Sequence, residues 1–149
     1  MNDIRNIPAT RGDRIFNASV KWLAKMGVSL MGTRLLAVRG RKTGEWRTTA
    51  VNVLTYEGEQ YLVAPRGHTQ WVRNMRVAGG GELRLGWRKR SFTAVELADA
   101  DKPGVFRLYL KKWAWEVGRF FGPDVSAESS DEKLLEIAPD FPVFRLTVG

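Results

Sequence analysis

The chain has 149 residues, of which 44% are hydrophobic, and it carries a formal net charge of +8. Its length and composition predict a folded protein with one domain over residues 1–149. Because it contains no cysteine, disulfides, thiol catalysis and thiolate metal sites are excluded. The positive charge predicts an anionic partner, such as a phosphorylated cofactor, nucleic acid or an acidic membrane surface. No apolar run reaches the roughly 18 residues of a membrane-spanning helix, and the N-terminus lacks a signal-peptide pattern, so we expect a cytoplasmic protein.

The N-terminal region is predicted to form a flexible arm over residues 1–12 and a helix that begins at Arg14. Asp13 stands in the N-cap position of this helix. The apolar side chains that fit one face are Ile15, Val20, Trp22, Leu23 and Met26. We favour a helix packed across the rest of the fold. The alternative is a helix that rests on anionic lipid, because it combines basic and aromatic side chains.

Alternating and continuous apolar runs predict six strands that are joined mainly by short turns. The strands are placed at residues 35–38, 47–56, 60–64, 82–87, 91–97 and 144–148. The distinctive connections are a turn at residues 57–58, a flexible glycine break at 78–81 and a basic turn at 88–90. A short helix is predicted from Gln70, a long helix from an N-cap at Asp101 to about residue 121, and a helical turn at 132–137. These elements predict an α+β fold, in which helices cover a mostly antiparallel barrel of about six strands.

Two cationic segments flank the hairpin that the second and third strands are predicted to form. The first reads Gly-Arg-Lys-Thr-Gly at residues 40–44. Its glycines allow a tight turn, whose outward N–H groups favour an anion. Arg41, Lys42 and Arg47 supply cations there, while Thr43 supplies a hydroxyl donor. A solvated hairpin turn is the alternative interpretation of this segment taken alone.

The second cationic segment reads Ala-Pro-Arg-Gly-His at residues 64–68 and leads into the predicted short helix. Pro65 ends the preceding strand, and Gly67 permits a further turn. The N-terminus of the helix faces this loop with free N–H groups and partial positive charge, which favour an anion. His68 is the only histidine, and with no cysteine in the chain a metal site is not predicted. If the hairpin brings the two segments together, they form one anion-binding surface.

The two motifs, followed by Trp-x-x-Asn at residues 71–74, resemble the deazaflavin-dependent nitroreductase family. The resemblance is strongest over residues 35–97. Members of that family are small actinobacterial oxidoreductases that use coenzyme F420, whose phosphate and oligoglutamate tail are anionic. The resemblance implies a split β-barrel related to that of FMN-binding oxidoreductases. It also implies an enzyme that transfers a hydride from reduced F420 to an electron-poor acceptor, such as a quinone, a nitroaromatic or another conjugated compound.

The same resemblance places the cofactor contacts in both motifs and in the strand between them. The anionic side of the cofactor is assigned to Arg41, Lys42, Thr43 and Arg47. The phosphate and ring are assigned to Ala64, Pro65, Arg66, Gly67 and His68, and the site is completed by Trp71, Arg73 and Asn74. The edge of the ring is assigned to Val51 and Asn52. For Trp71, a place in the core is the alternative.

The acceptor side is expected among aromatic residues of the long helix. Tyr109, Trp113 and Phe120 are assigned to the substrate pocket, and Tyr109 is the one catalytic candidate. A place in the core is the alternative for all three, because aromatic residues at helical spacing are commonly buried. Well-studied relatives carry a tyrosine cluster after the late helix, and this chain lacks it. A quinone-like acceptor is therefore expected at least as strongly as a nitroaromatic one.

Two other functions compete with this interpretation. A split-barrel protein can use the same cations to bind FMN, although the long anionic tail of F420 needs more cations than one phosphate does. A basic barrel can also bind nucleic acid through cationic grooves and exposed aromatics. No nucleic-acid motif is present, and the six tryptophans fit core positions. The expected partners are a small-molecule acceptor and, through the N-terminal helix, an anionic membrane, with the protein a monomer or a homodimer.

Overall fold

The computed structural model describes residues 33–148, with the side chains of all but residues 115 and 116. In chain order it contains β1 (Thr33–Arg39), β2 (Trp46–Tyr56), β3 (Glu59–Val63), α1 (Gln70–Ala78), β4 (Gly80–Leu85), β5 (Arg88–Glu96), α2 (Pro103–Phe121), α3 (Asp131–Ile137) and β6 (Val143–Val148). Short 3₁₀ turns occupy Asp99–Asp101 and Ala138–Asp140. The predicted arm over residues 1–12, the helix from Arg14 and its predicted membrane contact lie outside the described residues. None of the helices described here combines the length and hydrophobicity needed to span a lipid bilayer.

The six strands close into a barrel with the order β1-β2-β3-β6-β5-β4, and every neighbouring pair is antiparallel. This arrangement confirms the predicted six-stranded antiparallel barrel with covering helices. Closure pairs each described strand on both sides, so no backbone edge is left open among them. The predicted turn at residues 57–58 is present. Glu57 and Gly58 both have positive φ, 51° and 80°, as a tight two-residue hairpin requires.

Two apolar cores stabilise the fold, one inside the barrel and one outside it. The inner core contains Leu36, Val38, Leu62, Phe92, Phe144 and Leu146. Helix α1 adds Val72 and Met75 to this core, at the end of the barrel where β3 ends and β4 begins. The outer core lies between the barrel and helices α2 and α3, and it contains Leu54, Tyr61, Val63, Phe106, Leu110, Leu134, Phe141 and Val143. Burial of these apolar side chains is the main favourable contribution to folding.

Helices α1 and α3 have conventional ends. Helix α1 ends at Gly79, which has a φ of 71° and donates its N–H to the carbonyl of Met75 at 2.8 Å. Helix α3 begins after Ser130, whose hydroxyl accepts a hydrogen bond from the N–H of Lys133. Asp131 stands in the first turn of α3, where a negative charge complements the helix dipole. The predicted helical turn at residues 132–137 is thus confirmed as a short, capped helix.

The N-cap predicted for the long helix is wrong, although the predicted proline lies in its first turn. Asp101 ends a 3₁₀ turn, and Lys102 precedes α2 without a capping side-chain hydrogen bond. The side chain of Lys102 is only 3% exposed. Its Nζ donates to Asp99 Oδ1 at 2.7 Å and to the carbonyl of Ala138 at 2.8 Å. A buried ammonium is costly unless it has such partners, so these two bonds compensate for the burial of Lys102.

The prediction of a flexible break at residues 78–81 is wrong. Gly79 ends helix α1, and Gly80 and Gly81 are the first residues of β4. A Cβ atom on Gly80 would overlap the carbonyl oxygen of Phe92, and one on Gly81 would overlap that of Ala37. The two glycines therefore permit β4 to approach both of its neighbouring strands closely. In a strand, a glycine often marks this kind of close backbone approach.

The predicted boundary between the fourth and fifth strands is displaced. The predicted basic turn at residues 88–90 is instead the start of β5, and the chain turns at Gly86 and Trp87. Gly86 has a φ of 61°, which supplies the positive φ that a two-residue hairpin turn needs. Trp87, predicted as the last residue of the fourth strand and as one of six tryptophans in core positions, is instead 87% exposed in the turn. The other four strands lie within two residues of their predicted bounds.

Candidate functional site

The two cationic segments lie together at one end of the barrel. The first connects β1 to β2, and the second connects β3 to α1. Asn74, which is 5% exposed, joins them. Its Oδ1 accepts from the backbone N–H of Arg41 at 3.1 Å and from Arg41 Nη1 at 2.8 Å. The hairpin therefore brings the segments together as the sequence predicts, and we call residues 40–47 and 64–74 the cationic wall.

Internal hydrogen bonds fix the conformation of the first loop of the wall. Gly40 and Gly44 hold its two ends together, since the N–H of Gly44 donates to the carbonyl of Gly40 at 2.8 Å. Gly44 has a φ of 75°, so a glycine is favoured there. Thr43 Oγ1 accepts from the N–H of Glu45 at 3.2 Å and still has its own hydrogen to donate. Lys42 and Thr43 are exposed at the tip of this fixed turn.

The second loop is fixed in the same way. Gly67 has a φ of 89° and donates its N–H to the carbonyl of Ala64 at 3.1 Å. The N–H of Thr69 donates in turn to the carbonyl of Gly67 at 2.9 Å. Arg73 Nε donates to the carbonyl of His68 at 3.0 Å, which ties helix α1 back to the loop. A ligand at this loop therefore meets a preformed backbone.

The ring of His68 bonds to other parts of the protein. Nε2 lies 2.9 Å from the carbonyl oxygen of Pro139, and Nδ1 lies 3.1 Å from Arg76 Nη2. A carbonyl can only accept, so we place the ring hydrogen on Nε2 and let Nδ1 accept from Arg76. Arg76 also binds both carboxylate oxygens of Glu96, at 2.8 and 2.7 Å. The hydrogen bond with Glu96 raises the pKa of Arg76 further above its usual value, while partial burial acts in the opposite direction.

The wall carries a strong excess of positive charge. Its cations are Arg41, Lys42, Arg47, Arg66 and Arg73, and its one carboxylate is that of Glu45. Glu45 lies 3.9 Å from Arg47 Nη2, and both side chains are more than half exposed. An exposed pair of this kind contributes little and is screened by solvent. The wall therefore offers several cations to an anion, on two loops whose backbones are already fixed.

Thr69 is a functional candidate that the sequence reasoning missed. It precedes α1 as the N-cap residue, but its side chain makes no capping hydrogen bond. Its Oγ1 is buried and has no hydrogen-bond partner among the described residues. Such an atom is uncommon, because an unpaired buried hydroxyl loses its hydration without compensation. A threonine directly before a predicted helix start was the available signal in the sequence.

Val51 and Asn52 lie far along β2 from the first loop. Arg47 pairs with Val38 near that loop, whereas Asn52 pairs with Thr33 at the other end of the ladder. Asn52 is buried, and its Oδ1 accepts from Thr33 Oγ1 at 2.9 Å. The structure therefore does not bring these residues to the cationic wall. Their assignment to the ring edge stays a prediction.

The three aromatic residues assigned to the acceptor pocket all belong to the outer core. Tyr109 is 2% exposed and Trp113 is 1% exposed, with their ring centroids 5.3 Å apart. Phe120 differs, because its ring contacts the wall: the guanidinium carbon of Arg66 lies 5.4 Å from the ring centroid. Arg119 lies over the same ring at 4.6 Å. Of the three, Phe120 is the aromatic residue that the structure brings to the cationic wall, and the pocket assignment stays a prediction.

Trp71 packs against the core, which was the alternative to its assignment to the cofactor site. Its ring centroid lies 5.8 Å from that of Phe144, and its partly buried side chain packs against the inner core. No three His, Asp or Glu side chains within residues 33–148 are grouped so that they could hold a metal ion.

The sequence matches the model of the F420H(2)-dependent quinone reductase family over residues 14–117. The chain belongs to this family. It is accordingly an F420-dependent oxidoreductase, which confirms the resemblance drawn from the two motifs. No curated protein matches the sequence.

Solved structures with the same fold include proteins of several descriptions. One described as a domain-swapped dimer is 16% identical, with a TM-score of 0.55 and coverage of 92% of this chain and 94% of that chain. An F420-H2 dependent reductase, FDR-A, is 17% identical, with a TM-score of 0.53 and coverage of 81% and 100%. A nimc/nima family protein from Clostridium acetobutylicum is 16% identical, with a TM-score of 0.52 and coverage of 93% and 88%. At these identities the likeness concerns the fold, and it agrees with a split barrel.

The cationic wall of this reductase fits the chemistry of F420. The cofactor presents a phosphate and carboxylates, and the wall presents arginines suited to both. The unpaired hydroxyl of Thr69 stands at the N-terminus of α1, where backbone N–H groups also favour an anion. Both features match an anionic ligand, and the Thr69 hydroxyl has no hydrogen-bond partner among the described residues.

Proposed function

We propose that this reductase holds the phosphate of F420 between the two loops of the cationic wall and reduces a quinone or a similar conjugated acceptor. The observation that carries the proposal is the pair of bonds from Arg41 to Asn74, which fixes the loops as one surface. Lys42 and Thr43 extend from this surface toward solvent, where they can reach an incoming anion. The buried hydroxyl of Thr69 supplies a further donor.

The chain's own contribution to catalysis is binding, orientation and the exclusion of water. When bound in its reduced form, F420 supplies a hydride, and a quinone that takes up this hydride and a proton becomes a hydroquinone. The ring of Phe120 is 8% exposed and lies beside Arg66, where it supports the part of the wall that a flat acceptor would approach. Arg66 and Arg119 there favour an acceptor whose oxygens become more negative as it is reduced.

Cofactor identity is tested by titrating the full chain with F420 and, separately, with FMN, while cofactor fluorescence is followed. We expect saturable binding of F420 that is tighter than binding of FMN. A preference for FMN would contradict the proposed ligand while leaving the fold unchanged. Binding to an oligonucleotide that falls steeply with salt, in the absence of any F420 binding, would favour the nucleic-acid alternative.

The wall itself is tested with the double variant Arg41→Ala/Lys42→Ala. Each charge-assisted hydrogen bond contributes roughly 1.5–3 kcal/mol, so we expect the Kd for F420 to rise by at least about a hundredfold. The matched control is Lys89→Ala/Lys111→Ala, which removes the same charge from two exposed side chains outside the wall. Equal losses in the two variants would show that only net charge matters.

The acceptor is tested by turnover with reduced F420 and either a soluble quinone or a nitroaromatic. We expect higher kcat/KM for the quinone, and a Phe120→Ala variant with raised KM for it. A Tyr109→Phe variant tests the one catalytic candidate. Because the Tyr109 side chain is 2% exposed among core aromatics, we expect removal of its hydroxyl to change kcat little.

The assembly state forms part of the proposal. A homodimer is supported by the fold neighbour described as a domain-swapped dimer, although that protein is only 16% identical. Light scattering combined with size-exclusion chromatography measures the mass in solution. A mass of two chains that persists on dilution is the expected result, and a mass of one chain would leave the reductase a monomer.

A further inference from the structure

The end of the barrel opposite the cationic wall contains a cleft of about 550 Å³. It lies where β1 begins, where β2 and β4 end, and where β5 begins. From Arg34 in this cleft to Gly40 in the wall, β1 runs for six residues, or about 20 Å of extended chain. A cleft of this size accommodates a small molecule. It is therefore separate from the phosphate-binding loops of the proposed F420 site.

Arginines occupy the inner face of the barrel at this cleft. Arg90 pairs directly with Leu83, and Arg88 pairs with Leu85. Residues directly opposite each other in an antiparallel pair share one face of the sheet, and Leu83 belongs to the inner core. On β1, Arg34 precedes the core residue Leu36 by two positions and so faces the same interior. All three arginines line the cleft.

These cations gather without a carboxylate among the described residues that line the cleft. Lys112 of α2 is a fourth lining cation. The side chains of Arg88 and Arg90 have no ion pair or hydrogen bond with any other residue in the range 33–148. Both side chains are exposed at the rim of the cleft, where their like charges repel each other. Arg88 and Arg90 are therefore suited to an anion from outside the chain.

The remaining lining gives the cleft an apolar floor and one unpaired donor. Val53, Leu83, Leu85 and Val148 line it with aliphatic groups. Trp113 also lines it, with a side chain that is 1% exposed and an Nε1 that has no hydrogen-bond partner among the described residues. Helix α2 departs from helical geometry at this residue, with φ −128° and ψ 19°. A buried indole N–H normally finds an acceptor, so this N–H is an unpaired donor within the core beside the cleft.

We propose that this cleft is a second binding site, which takes an amphipathic anion: a carboxylate or phosphate attached to an aliphatic chain. The head group contacts Arg88 and Arg90 at the rim, and the aliphatic chain lies along Val53 and Leu83 within the barrel. The same chemistry is offered by a free fatty acid and by an anionic lipid in a membrane surface. Exposed Trp87 stands next to the arginines in the β4–β5 turn, where it would contact such a surface.

The test is a calorimetric titration of the full chain with dodecanoate, with dodecanol and inorganic phosphate as probes of the two halves of the ligand. We expect saturable binding of dodecanoate and at least about tenfold weaker binding of either half. In Arg88→Gln/Arg90→Gln the affinity for dodecanoate should fall at least about tenfold. In the control Lys89→Gln/Lys111→Gln, which removes the same charge outside the cleft, it should change less than about twofold.

Further experiments distinguish a free fatty acid from a membrane lipid as the ligand, and test whether the cleft is independent of the F420 site. Co-sedimentation with phosphatidylcholine vesicles, with and without phosphatidylglycerol, reports the membrane source, and arginine-dependent binding only to the anionic vesicles supports it. Titration of the arginine variant with F420 should give an unchanged Kd, and a parallel loss of F420 binding would overturn the second site. Equal losses in the arginine and lysine variants, or no saturable binding of dodecanoate or anionic vesicles, would also overturn it.

Discussion

The carboxamide oxygen of Asn74 accepts two hydrogen bonds from Arg41, one from its backbone N–H and one from its guanidinium. This oxygen connects a loop between two strands to a helix 33 residues further along the chain. The bond satisfies a buried amide and also aligns Arg41 with the cationic wall. Asn74 thus belongs to the predicted site as a residue that positions another, and its own contact with F420 stays a prediction.

Two substitutions of Asn74 should separate positioning from charge. Asn74→Ala removes the acceptor, so we expect a loss of about 1–3 kcal/mol in the free energy of unfolding and weaker F420 binding. Asn74→Asp keeps an acceptor for Arg41 and should preserve much more of the stability. Its negative charge within the wall should nevertheless weaken F420 binding by about 1–2 kcal/mol. Thermal unfolding and F420 titration measure the two effects, and full F420 affinity in Asn74→Asp would contradict the anion-binding wall.

Thr69 provides a substitution with opposite effects on stability and binding. Thr69→Val removes a buried hydroxyl that has no partner and keeps the side-chain shape, so the free protein should be as stable or slightly more stable. If this hydroxyl donates to the phosphate of F420, the Kd should rise about tenfold or more. Thr69→Ser keeps the hydroxyl and should keep most of the affinity. Equal F420 affinity in the valine variant and the unaltered chain would remove Thr69 from the site.

The sequence predicted the barrel well because its strands and turns carry strong local signals. The apolar pattern of β2 and β3 and the intervening Glu57-Gly58 pair specify a hairpin without help from the rest of the fold. The prediction failed at Gly80 and Gly81, which lie in a strand. The absence of a side chain at these positions is required by the carbonyls of Phe92 and Ala37 on the two neighbouring strands. No local pattern reveals a contact between residues so far apart in the chain.

For the candidate site, the sequence predicted the position of the two loops but not the role of each residue within them. The motifs located both loops of the wall, because glycine and cation spacing is a local property of the sequence. The partners of His68 were not predictable, since Pro139 and Arg76 reach it through the tertiary fold. The burial of Tyr109 likewise depends on where α2 packs against the barrel. Residue types thus identify a cationic loop, while their division into contacting and supporting roles requires the structure.

Lys102 is buried and its ion-pair partner Asp99 is about half exposed, so loss of one partner should destabilise the protein more than loss of the other. Asp99→Ala leaves a buried ammonium with only the carbonyl of Ala138, so we expect a loss of about 2 kcal/mol in the free energy of unfolding. Lys102→Met replaces the ammonium by an apolar group of similar length and leaves Asp99, which is about half exposed, to be hydrated. That variant should be less destabilised than Asp99→Ala. Urea denaturation measures both, and the reverse order would contradict the role assigned to the buried charge.

The contacts of His68 predict one neutral tautomer and a role in holding the second loop. With Nε2 donating to Pro139 and Nδ1 accepting from Arg76, ¹⁵N-edited NMR of the neutral ring should show the hydrogen on Nε2.

Arg76→Ala removes the donor to Nδ1 and the ion pair with Glu96. Because that pair is partly exposed, we expect a loss of only about 1 kcal/mol in stability. We expect F420 affinity to fall by more than this loss of stability. The ring of His68 holds the second loop through Pro139 and Arg76, and the variant removes the contact with Arg76. The matched variant Arg145→Ala removes another exposed partner of a carboxylate, Glu59, and should leave F420 affinity unchanged. A neutral ring with its hydrogen on Nδ1, or equal F420 affinity in the two variants, would contradict this role for His68.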